Sequence, residues 1–217
     1  MDFTPFPKVP RLKRPMVVTE KIDGTNACVA IRPLGDTEDT RELTYWCGGQ
    51  MTTCYFHDGQ WFGLWAGSRN RWITPGKTTD NYGFAQWVLE NTPELVKLGP
   101  GRHFGEWYGR GIQRGYGLTE RRFALFAVHR WYTPYCGVDL PPLTAKLAPS
   151  CCDVVPLLYQ GDFNTSRIED IMYGLSKAGS EAAFGYMHPE GIMVFHAASG
   201  QTFKRTFEHD EQGKEAA

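Results

Sequence analysis

The feature that most constrains this 217-residue chain is its succession of short segments rich in β-branched and aromatic residues, separated by Gly, Pro and Asp turns. Segments of this kind predict strands, so the chain is expected to be dominated by β-sheet. The predicted strands cover residues 16–19, 27–32, 43–47, 51–57, 60–66, 103–108, 122–131, 154–159, 192–197 and 201–207.

Two segments have helical periodicity instead. Residues 81–91 carry apolar side chains at helical spacing, and a second stripe repeats at i, i+3, i+4 and i+7 from Ile168, behind a capping box of Ser166 and Glu169. Together with the strands, they predict an α+β fold of antiparallel sheets flanked by a few helices. One domain is expected over residues 1–210, followed by a flexible acidic tail at 211–217. The Pro-rich stretch 134–149 is not expected to divide it.

Composition places this chain among globular proteins. With 41% hydrophobic and 14% aromatic residues it can bury a full core. No apolar run approaches the roughly 20 residues of a membrane span, and the first residues lack the apolar stretch of a signal peptide. We therefore expect a cytoplasmic monomer without a membrane partner, in the host cytoplasm if a phage encodes it.

The net charge of −1 gives no global attraction to a polyanion, so nucleic acid would need a local basic surface. Candidate surfaces exist, although for any single residue a scattered surface charge is the simpler explanation. The clusters are Lys8, Arg11, Lys13 and Arg14; Arg69 and Arg71; and Arg110, Arg114, Arg121 and Arg122.

The six cysteines form no C-x-x-C pair, which disfavours a zinc site or a disulfide framework. They are expected to be reduced thiols. A metal site that joins Cys47, Cys54 and His57 to Cys136 remains an open alternative.

A lysine stands in a tight polar turn, EKIDGTN at residues 20–26, directly after an apolar run. A lysine attacks only as the neutral amine, and at an ordinary pKa near 10.4 about one in 2,500 is neutral at pH 7. A bound cation and nearby basic side chains favour the neutral form, whereas the flanking acids Glu20 and Asp23 oppose it. Taken alone, Lys21 is better explained by an exposed hairpin salt bridge.

The order K-x-D-G-T-N, followed by several downstream motifs, resembles the covalent nucleotidyltransferase superfamily of ATP-dependent ligases and capping enzymes. The resemblance covers nearly the whole chain. It implies that Lys21 attacks the α-phosphate of ATP, releases pyrophosphate and carries a lysyl-AMP. It also implies nucleotide contacts from Glu20 on the adenine side, from Ile22, and from Asn26 at the ribose or phosphate.

Three downstream segments extend the resemblance: GSRNR at 67–71, FGEWYG at 104–109 and RFALF at 122–126. They imply that Arg69 contacts the ribose or phosphate and that Glu106 binds a ribose hydroxyl or a metal-bound water. Phe126 is expected to stack on adenine. Taken singly, the first segment is also explained by a basic turn, the second by a solvated glutamate at a strand end and the third by a core strand. The resemblance therefore depends on the order in which the segments occur.

Two further segments, EGIMV at 190–194 and FKR at 203–205, complete the series. Glu190 is expected to help hold a divalent metal, and the glycine after it to allow close approach of backbone and phosphate. Lys204 is expected to bind the α-phosphate. The family commonly places two lysines two residues apart, but threonines flank Lys204 at that spacing, and Arg205 is a doubtful substitute.

The implied cofactors are ATP and Mg²⁺, with Mn²⁺ as an alternative, and the metal is expected at Glu106 and Glu190. Phosphoryl transfer needs cations that neutralise charge on the equatorial oxygens, which Lys204, Arg69 and the metal would supply. The same cations would favour the neutral amine of Lys21 if Glu20 points away. NAD⁺ is a less suitable donor, because NAD-dependent DNA ligases carry a separate N-terminal module for the nicotinamide half and only about 20 residues precede Lys21. GTP would imply a capping enzyme, which adds an OB-fold domain where this chain has only about a dozen residues after Lys204.

The same short C-terminal stretch leaves no room for an OB-fold domain, so the expected fold is a nucleotidyltransferase domain (ATP-grasp-like ligase) without one. The chain resembles the RNA-ligase branch, especially its small phage-type members, and residues 105–118 carry that likeness. Nucleic acid, as RNA ends or a nicked duplex, is the expected partner. The phosphate-contacting candidates are Arg71, Arg110, Arg114 and Arg205, and Tyr116 adds an aromatic to the glycine-rich loop 110–116.

The function predicted in this way is ATP-dependent joining of a 5′-phosphate to a 3′-hydroxyl, most directly of RNA. Two alternatives stay open: a minimal nick ligase for DNA or mixed RNA/DNA duplexes, and a non-catalytic nucleic-acid-binding domain of the same fold.

Overall fold

The computed structural model describes residues 2–35, 51–133, 145–208 and 210. The predicted strand 43–47 and most of the stretch 134–149 lie outside these residues. The strands are β1 (Pro15–Lys21), β2 (Thr25–Pro33), β3 (Thr53–His57), β4 (Gln60–Ser68), β5 (Trp72–Ile73), β6 (Gly101–Gly109), β7 (Arg121–Leu125), β8 (Trp131–Tyr132), β9 (Lys146–Leu147), β10 (Cys152–Val154), β11 (Leu157–Asp162), β12 (Gly191–His196) and β13 (Gln201–Thr206). The helices are α1 (Phe84–Glu90), α2 (Thr92–Leu95) and α3 (Thr165–Ala178), with 3₁₀ turns at Val96–Leu98 and Gly115–Gly117.

The chain divides into two compact units, which are described separately. The terminal unit comprises Met1–Lys21 with Pro156–Ala217, and the central unit comprises Ile22–Val155. The domain predicted over residues 1–210 thus contains two units, and the predicted tail 211–217 lies outside the described residues.

The terminal unit is built on an antiparallel sheet in the order β11-β1-β12-β13. Side chains alternate along β1, and Met16, Val18 and Glu20 are buried. The two apolar ones join a cluster with Met172 and Leu175 of α3. One face of the sheet therefore packs against α3, and Lys21 lies on the other face.

Helix α3 begins two residues earlier than the predicted capping box. Its N-cap is Asn164, whose side chain accepts a hydrogen bond from the Arg167 N–H at 3.3 Å. Asn is as good an N-cap as Ser, and the extended φ of Asn164 leaves Ser166 inside the first turn. The prediction of Ser166 as cap was wrong, whereas the apolar stripe from Ile168 was correct.

The central unit has a seven-stranded sheet in the order β10-β7-β6-β2-β4-β3, with β5 paired to β4, and a two-stranded sheet of β8 and β9. Its core combines one face of the large sheet with α1 and the segment after it. The prediction of antiparallel sheets is confirmed for most strand pairs, with two exceptions: β10 pairs with β7 and β9 with β8 in parallel.

Two predicted strands are interrupted. The segment 122–131 stops at Leu125, because the chain then folds into a turn in which the Val128 and Arg130 N–H groups bond to Phe126 O and Ala127 O. The segment 154–159 breaks at Pro156, which has no N–H for a ladder, so β10 and β11 belong to different sheets.

The predicted helix 81–91 begins only at Phe84, after Gly83 at φ 71°. The carboxylate of Asp80 accepts hydrogen bonds from the N–H groups of Ala85 and Gln86 at 2.8 and 3.1 Å, which supplies the missing N-terminal cap. Among the described residues, no helix combines the length and the apolarity needed to cross a membrane.

Gly191 begins β12 where the backbones of two strands come unusually close. It has φ 151°, and a Cβ at this position would collide with Arg205 O and lie 2.7 Å from the Cα of Thr206. The close approach of a phosphate stays a prediction, and the structure adds a second reason for this glycine: β13 leaves no space for a side chain.

Replacing Gly191 by alanine is expected to destabilise the protein by at least about 1 kcal/mol, because it adds strain at a positive φ to a collision with backbone. Gly174→Ala is the matched control, since Gly174 is helical and its added Cβ meets nothing within 4 Å. That control should be neutral or stabilise by about 0.5–1 kcal/mol. Urea unfolding of both variants measures the difference; equal effects would contradict the packing argument.

Candidate active site

Lys21 is the last residue of β1 and pairs in register with Gly191 of β12. Its Nζ donates a hydrogen bond to the carboxylate of Glu190, and the two form an ion pair. The two side chains are 22% and 19% exposed, so the pair is accessible but largely shielded. The predicted nucleophile and a predicted metal ligand therefore meet within the terminal unit.

Lys204 lies on the same sheet face as Lys21. It pairs with Met193, which in turn pairs with Thr19 of β1. This row of the ladder is two rows away from that of Lys21, Gly191 and Thr206, and is the next one on the same face. Lys204 is exposed. The sheet thus places two amines and one carboxylate of the predicted site on one surface.

Arg205 points the other way. It pairs with Ile192, whose side chain belongs to the core beneath α3, and its guanidinium is ion-paired with Glu169 of α3. Arg205 therefore does not replace a second lysine on the face of Lys21, because consecutive strand residues point to opposite faces.

Glu20 is 1% exposed on the α3 side of β1. Its carboxylate accepts hydrogen bonds from Ser180 Oγ at 2.5 Å and from the N–H groups of Glu181 and Ala182 at 2.8 and 3.0 Å. Burial raises the pKa of Glu20, although these hydrogen bonds oppose the rise. The side chain that was expected to disfavour a neutral Lys21 is therefore turned away from it and holds the segment after α3.

The central unit holds the turn that follows the lysine. The carboxylate of Asp23 accepts a hydrogen bond from Arg114 Nε at 3.0 Å, and the Asp23 N–H donates to Tyr116 Oη at 2.8 Å. The next N–H, that of Gly24, donates to Glu106 Oε1 at 3.1 Å. A Cβ on Gly24 would lie 2.5 Å from Trp107 O, so this turn passes directly over β6 and requires glycine.

Asn26, Glu106 and Ala124 form one cross-strand row on the large sheet, on the face opposite the central unit's core. Phe126 follows the end of β7, where its N–H bonds to Phe104 O at 3.0 Å, and its ring is 39% exposed. Ile22, in contrast, is buried. Of the predicted ribose and adenine contacts, Asn26 and Glu106 thus lie in the large sheet of the central unit, and Phe126 lies directly after one of its strands.

The predicted basic contacts differ in accessibility. Arg69 and Arg71 are exposed in the turn between β4 and β5, and Arg110 is exposed after β6. Arg114 is only 25% exposed because it pairs with Asp23. Tyr116 is 2% exposed, so the interpretation of this ring as part of a phosphate-contacting surface was wrong: it is a structural residue that fixes the turn.

Two members of the alternative cysteine metal site, Cys47 and Cys136, lie outside the described residues. Within the described ranges, no group of three or more His, Cys, Asp and Glu residues is arranged to hold a metal. Cys28 lies on the same sheet face as Glu106, but burial raises the pKa of its thiol to about 11, so it stays protonated at neutral pH.

Two contributors were missed by sequence reasoning. Phe104 is 47% exposed beside Phe126, and the alternation of β6 places it on the face of Glu106, a signal that the sequence did contain. Ser180 is the second, and its partner Glu20 is 160 residues away along the chain. No local pattern indicates a contact over that separation.

The fold and site define an α+β protein, mostly of antiparallel sheets, with a lysine at the end of one strand and a paired carboxylate at the start of the next. A family model described as RNA ligase matches residues 14–206. The chain therefore belongs to the RNA ligase family. No match to a curated protein is found.

Solved structures of Naegleria gruberi RNA ligase are similar to this chain. An apo mutant has 17% identity over 88% of this chain and 49% of that chain, with a TM-score of 0.48. A mutant with ATP and Mn has 16% identity over 91% and 52%, with a TM-score of 0.47, and one with AMP and Mn has 17% over 90% and 50%, with 0.46. This chain spans about half the length of these proteins.

The buried Glu20 carboxylate yields a stability prediction. Glu20→Gln is expected to lower the free energy of unfolding by about 1–3 kcal/mol below pH 4.5, because the amide brings a second N–H donor into a site lined by the donor groups of Ser180, Glu181 and Ala182. The pKa of Glu20 is raised above 4.5 in the folded protein, so protonation of Glu20 stabilises the fold at low pH. This stabilisation is lost as pH rises through the folded pKa.

The difference in unfolding free energy between wild type and Glu20→Gln should therefore shrink as pH rises above 4.5. Urea unfolding between pH 4 and 8 measures it, with Ser180→Ala as a control that removes one donor and leaves the carboxylate. A difference that widens with pH would show that hydrogen bonding outweighs burial.

Proposed function

We propose that this chain is an ATP-dependent RNA ligase that works through a covalent AMP adduct on Lys21, on a nucleotidyltransferase fold. The observation that carries the proposal is the shared sheet face of Lys21, Glu190 and Lys204, in a member of the RNA ligase family. The order of the motifs along the chain supports the same assignment.

The proposed reaction has three steps. The Lys21 amine attacks the α-phosphorus of ATP; the P–O bond to the β-phosphate breaks, pyrophosphate leaves, and the amine has lost its proton. An oxygen of an RNA 5′-phosphate then attacks the adenylyl phosphorus and releases Lys21. Finally a 3′-hydroxyl attacks that 5′-phosphate, a phosphodiester forms, and AMP leaves.

In the terminal unit, Lys204 is proposed to bind the α-phosphate, because its exposed amine shares the face of the nucleophile. A cation there offsets charge on the transferring phosphorus group. Since the Glu20 side chain is buried, its proposed nucleotide contact is limited to its backbone. The same holds for Ile22 in the central unit.

In the central unit, Asn26 and Glu106 are proposed to bind the ribose, because they form adjacent members of one cross-strand row. Phe126 is proposed to stack on adenine, and the exposed Phe104 beside it enlarges the aromatic surface. Arg69, exposed after β4, is proposed to contact ribose or phosphate.

Mg²⁺, or Mn²⁺ in its place, suits carboxylate oxygens, and Glu190 and Glu106 are the proposed ligands. When bound, the metal supplies charge neutralisation on the phosphate oxygens. The proposal that Glu190 is a metal ligand is supported by its carboxylate, which already binds one cation, the Lys21 ammonium.

RNA is the proposed substrate, contacted by the exposed Arg71 and Arg110. Arg114 is proposed to act through Asp23 and not on phosphate, since its Nε is engaged there. Arg205 is not a proposed RNA contact, contrary to the expectation from sequence, because it pairs with Glu169 on the α3 side.

Incubation with ATP and Mg²⁺ should give a protein heavier by one adenylyl group in intact-mass spectrometry, and Lys21→Ala should abolish the adduct because it removes the nucleophile. Lys177→Ala is the matched control, an exposed lysine on α3. Parallel joining assays with RNA or DNA on each side of a nick define the strand preference. Absence of the adduct in wild type would overturn the proposal.

Replacing Arg114 and replacing Arg110 are expected to impair different steps of the proposed reaction. Arg114→Ala is expected to slow adduct formation about tenfold, because it removes a charge-assisted hydrogen bond worth about 1.5–3 kcal/mol from the turn after Lys21. Arg110→Ala should leave adduct formation unchanged and weaken joining with a shallower salt dependence. The comparison measures adduct formation and joining of pre-adenylated RNA in both variants; slower adduct formation in Arg110→Ala would contradict it.

A further inference from the structure

The segment of residues 3–14, FTPFPKVPRLKR, is a basic and apolar stretch to which the proposed reaction assigns no role. It is exposed throughout, and Phe3, Phe6 and Val9 are 89%, 85% and 78% exposed. It carries Lys8, Arg11, Lys13 and Arg14, while residues 3–19 contain no Asp or Glu. We call it the basic–aromatic segment.

Covalent sterics restrict the conformation of this segment. Pro5, Pro7 and Pro10 fix φ near −65°, and a residue that precedes proline is pushed towards the extended or polyproline II region. Between residues 4 and 10, only Lys8 is neither a proline nor directly before one. The segment is thus preorganised as polyproline II, which has three residues per turn.

The spacing of the side chains matches that period. Phe3, Phe6 and Val9 recur every three residues and share one side of such a helix, about 9 Å apart, while Lys8 and Arg11 share another. The result is a stiff, extended segment with one apolar edge, which carries two aromatic rings, and one cationic edge.

The far end of the segment is tied to the terminal unit. His196 Nε2 lies 2.8 Å from Leu12 O, the Arg14 N–H bonds to the same carbonyl at 2.9 Å, and Phe163 N–H donates to Arg14 O at 2.9 Å. The chain turns at Leu12 and continues into β1, which ends at Lys21. The segment is therefore anchored to the strand that carries the proposed nucleophile.

We propose that the basic–aromatic segment binds single-stranded RNA, with the cations of Lys8, Arg11, Lys13 and Arg14 on phosphates and the rings of Phe3 and Phe6 stacked on bases. Charge complementarity favours this partner, and a combination of cations with exposed aromatic rings is the means by which proteins hold unpaired strands. The preorganised backbone reduces the ordering entropy lost on binding. The choice of RNA over another polyanion rests on the proposed function.

The first test compares Lys8→Ala/Arg11→Ala/Lys13→Ala/Arg14→Ala with a matched control, Lys77→Ala/Lys97→Ala/Lys146→Ala/Lys177→Ala, which removes four exposed lysines elsewhere. Affinity for a labelled single-stranded RNA is measured by anisotropy across a salt series on the full chain. The segment variant should bind more weakly, with a slope of log K against log salt shallower by about 0.7 for each phosphate that the segment no longer neutralises. The control should keep the wild-type slope; equal slopes in all three proteins would overturn the proposal.

The second test separates stacking from apolar docking. Phe3→Leu/Phe6→Leu keeps apolar bulk and removes the rings, so RNA affinity should fall at least about fivefold per ring, whereas Phe3→Trp/Phe6→Trp should retain it. Phe184→Leu, which replaces a fully exposed ring elsewhere, is the control and should leave RNA affinity unchanged. RNA affinity unaffected by both the charge and the leucine variants would reject RNA and indicate a protein partner for the segment.

Adduct formation with ATP alone is measured on every variant, because it requires no RNA. If wild type forms the adduct and the segment variants bind RNA normally, this inference fails while the proposed function stands. If wild type forms no adduct but the segment variants lose RNA, the inference stands while the proposed function fails.

Discussion

Alternation along β1 determines where the charges of the terminal unit lie. Adjacent residues of a strand point to opposite faces, so Glu20 is buried beneath α3 while Lys21 meets Glu190 on the other side. A shift of one residue in the register would exchange them, burying an ammonium and exposing the carboxylate. The apolar residues Met16 and Val18 make that shift costly, because they would leave the core together with Glu20.

Two glycines of the site motifs, Gly24 and Gly191, lie where the chain passes very close to another backbone. Gly24 passes over β6 beside Trp107 O, and Gly191 lies against the backbone of β13. Each glycine follows a charged residue of the site, Asp23 or Glu190, and lets the chain there lie directly against another backbone. The glycines are required by protein packing, whether or not a phosphate is bound.

Most strands, the stripe of α3 and the alternation that separates Glu20 from Lys21 follow from local sequence, because period and turn residues are local signals. What the sequence could not supply was long-range: the Ser180 partner of Glu20, the engagement of Arg114 by Asp23 and the burial of Tyr116. Arginine, glycine and tyrosine in a loop predict nucleic-acid contact by composition alone. Only the tertiary contacts show that two of these side chains stabilise the turn after Lys21 instead.

If Lys21 is the nucleophile, as proposed, its pairing with Glu190 has a consequence for the order of the reaction steps. A carboxylate whose oxygen accepts the Lys21 amine cannot offer the same lone pair to a divalent cation, and a protonated amine cannot attack phosphorus. Any ligand that draws Glu190 away therefore removes the acid that holds the ammonium. In the proposed reaction, binding of the nucleotide and metal and release of the Lys21 amine are thus linked through one carboxylate, that of Glu190.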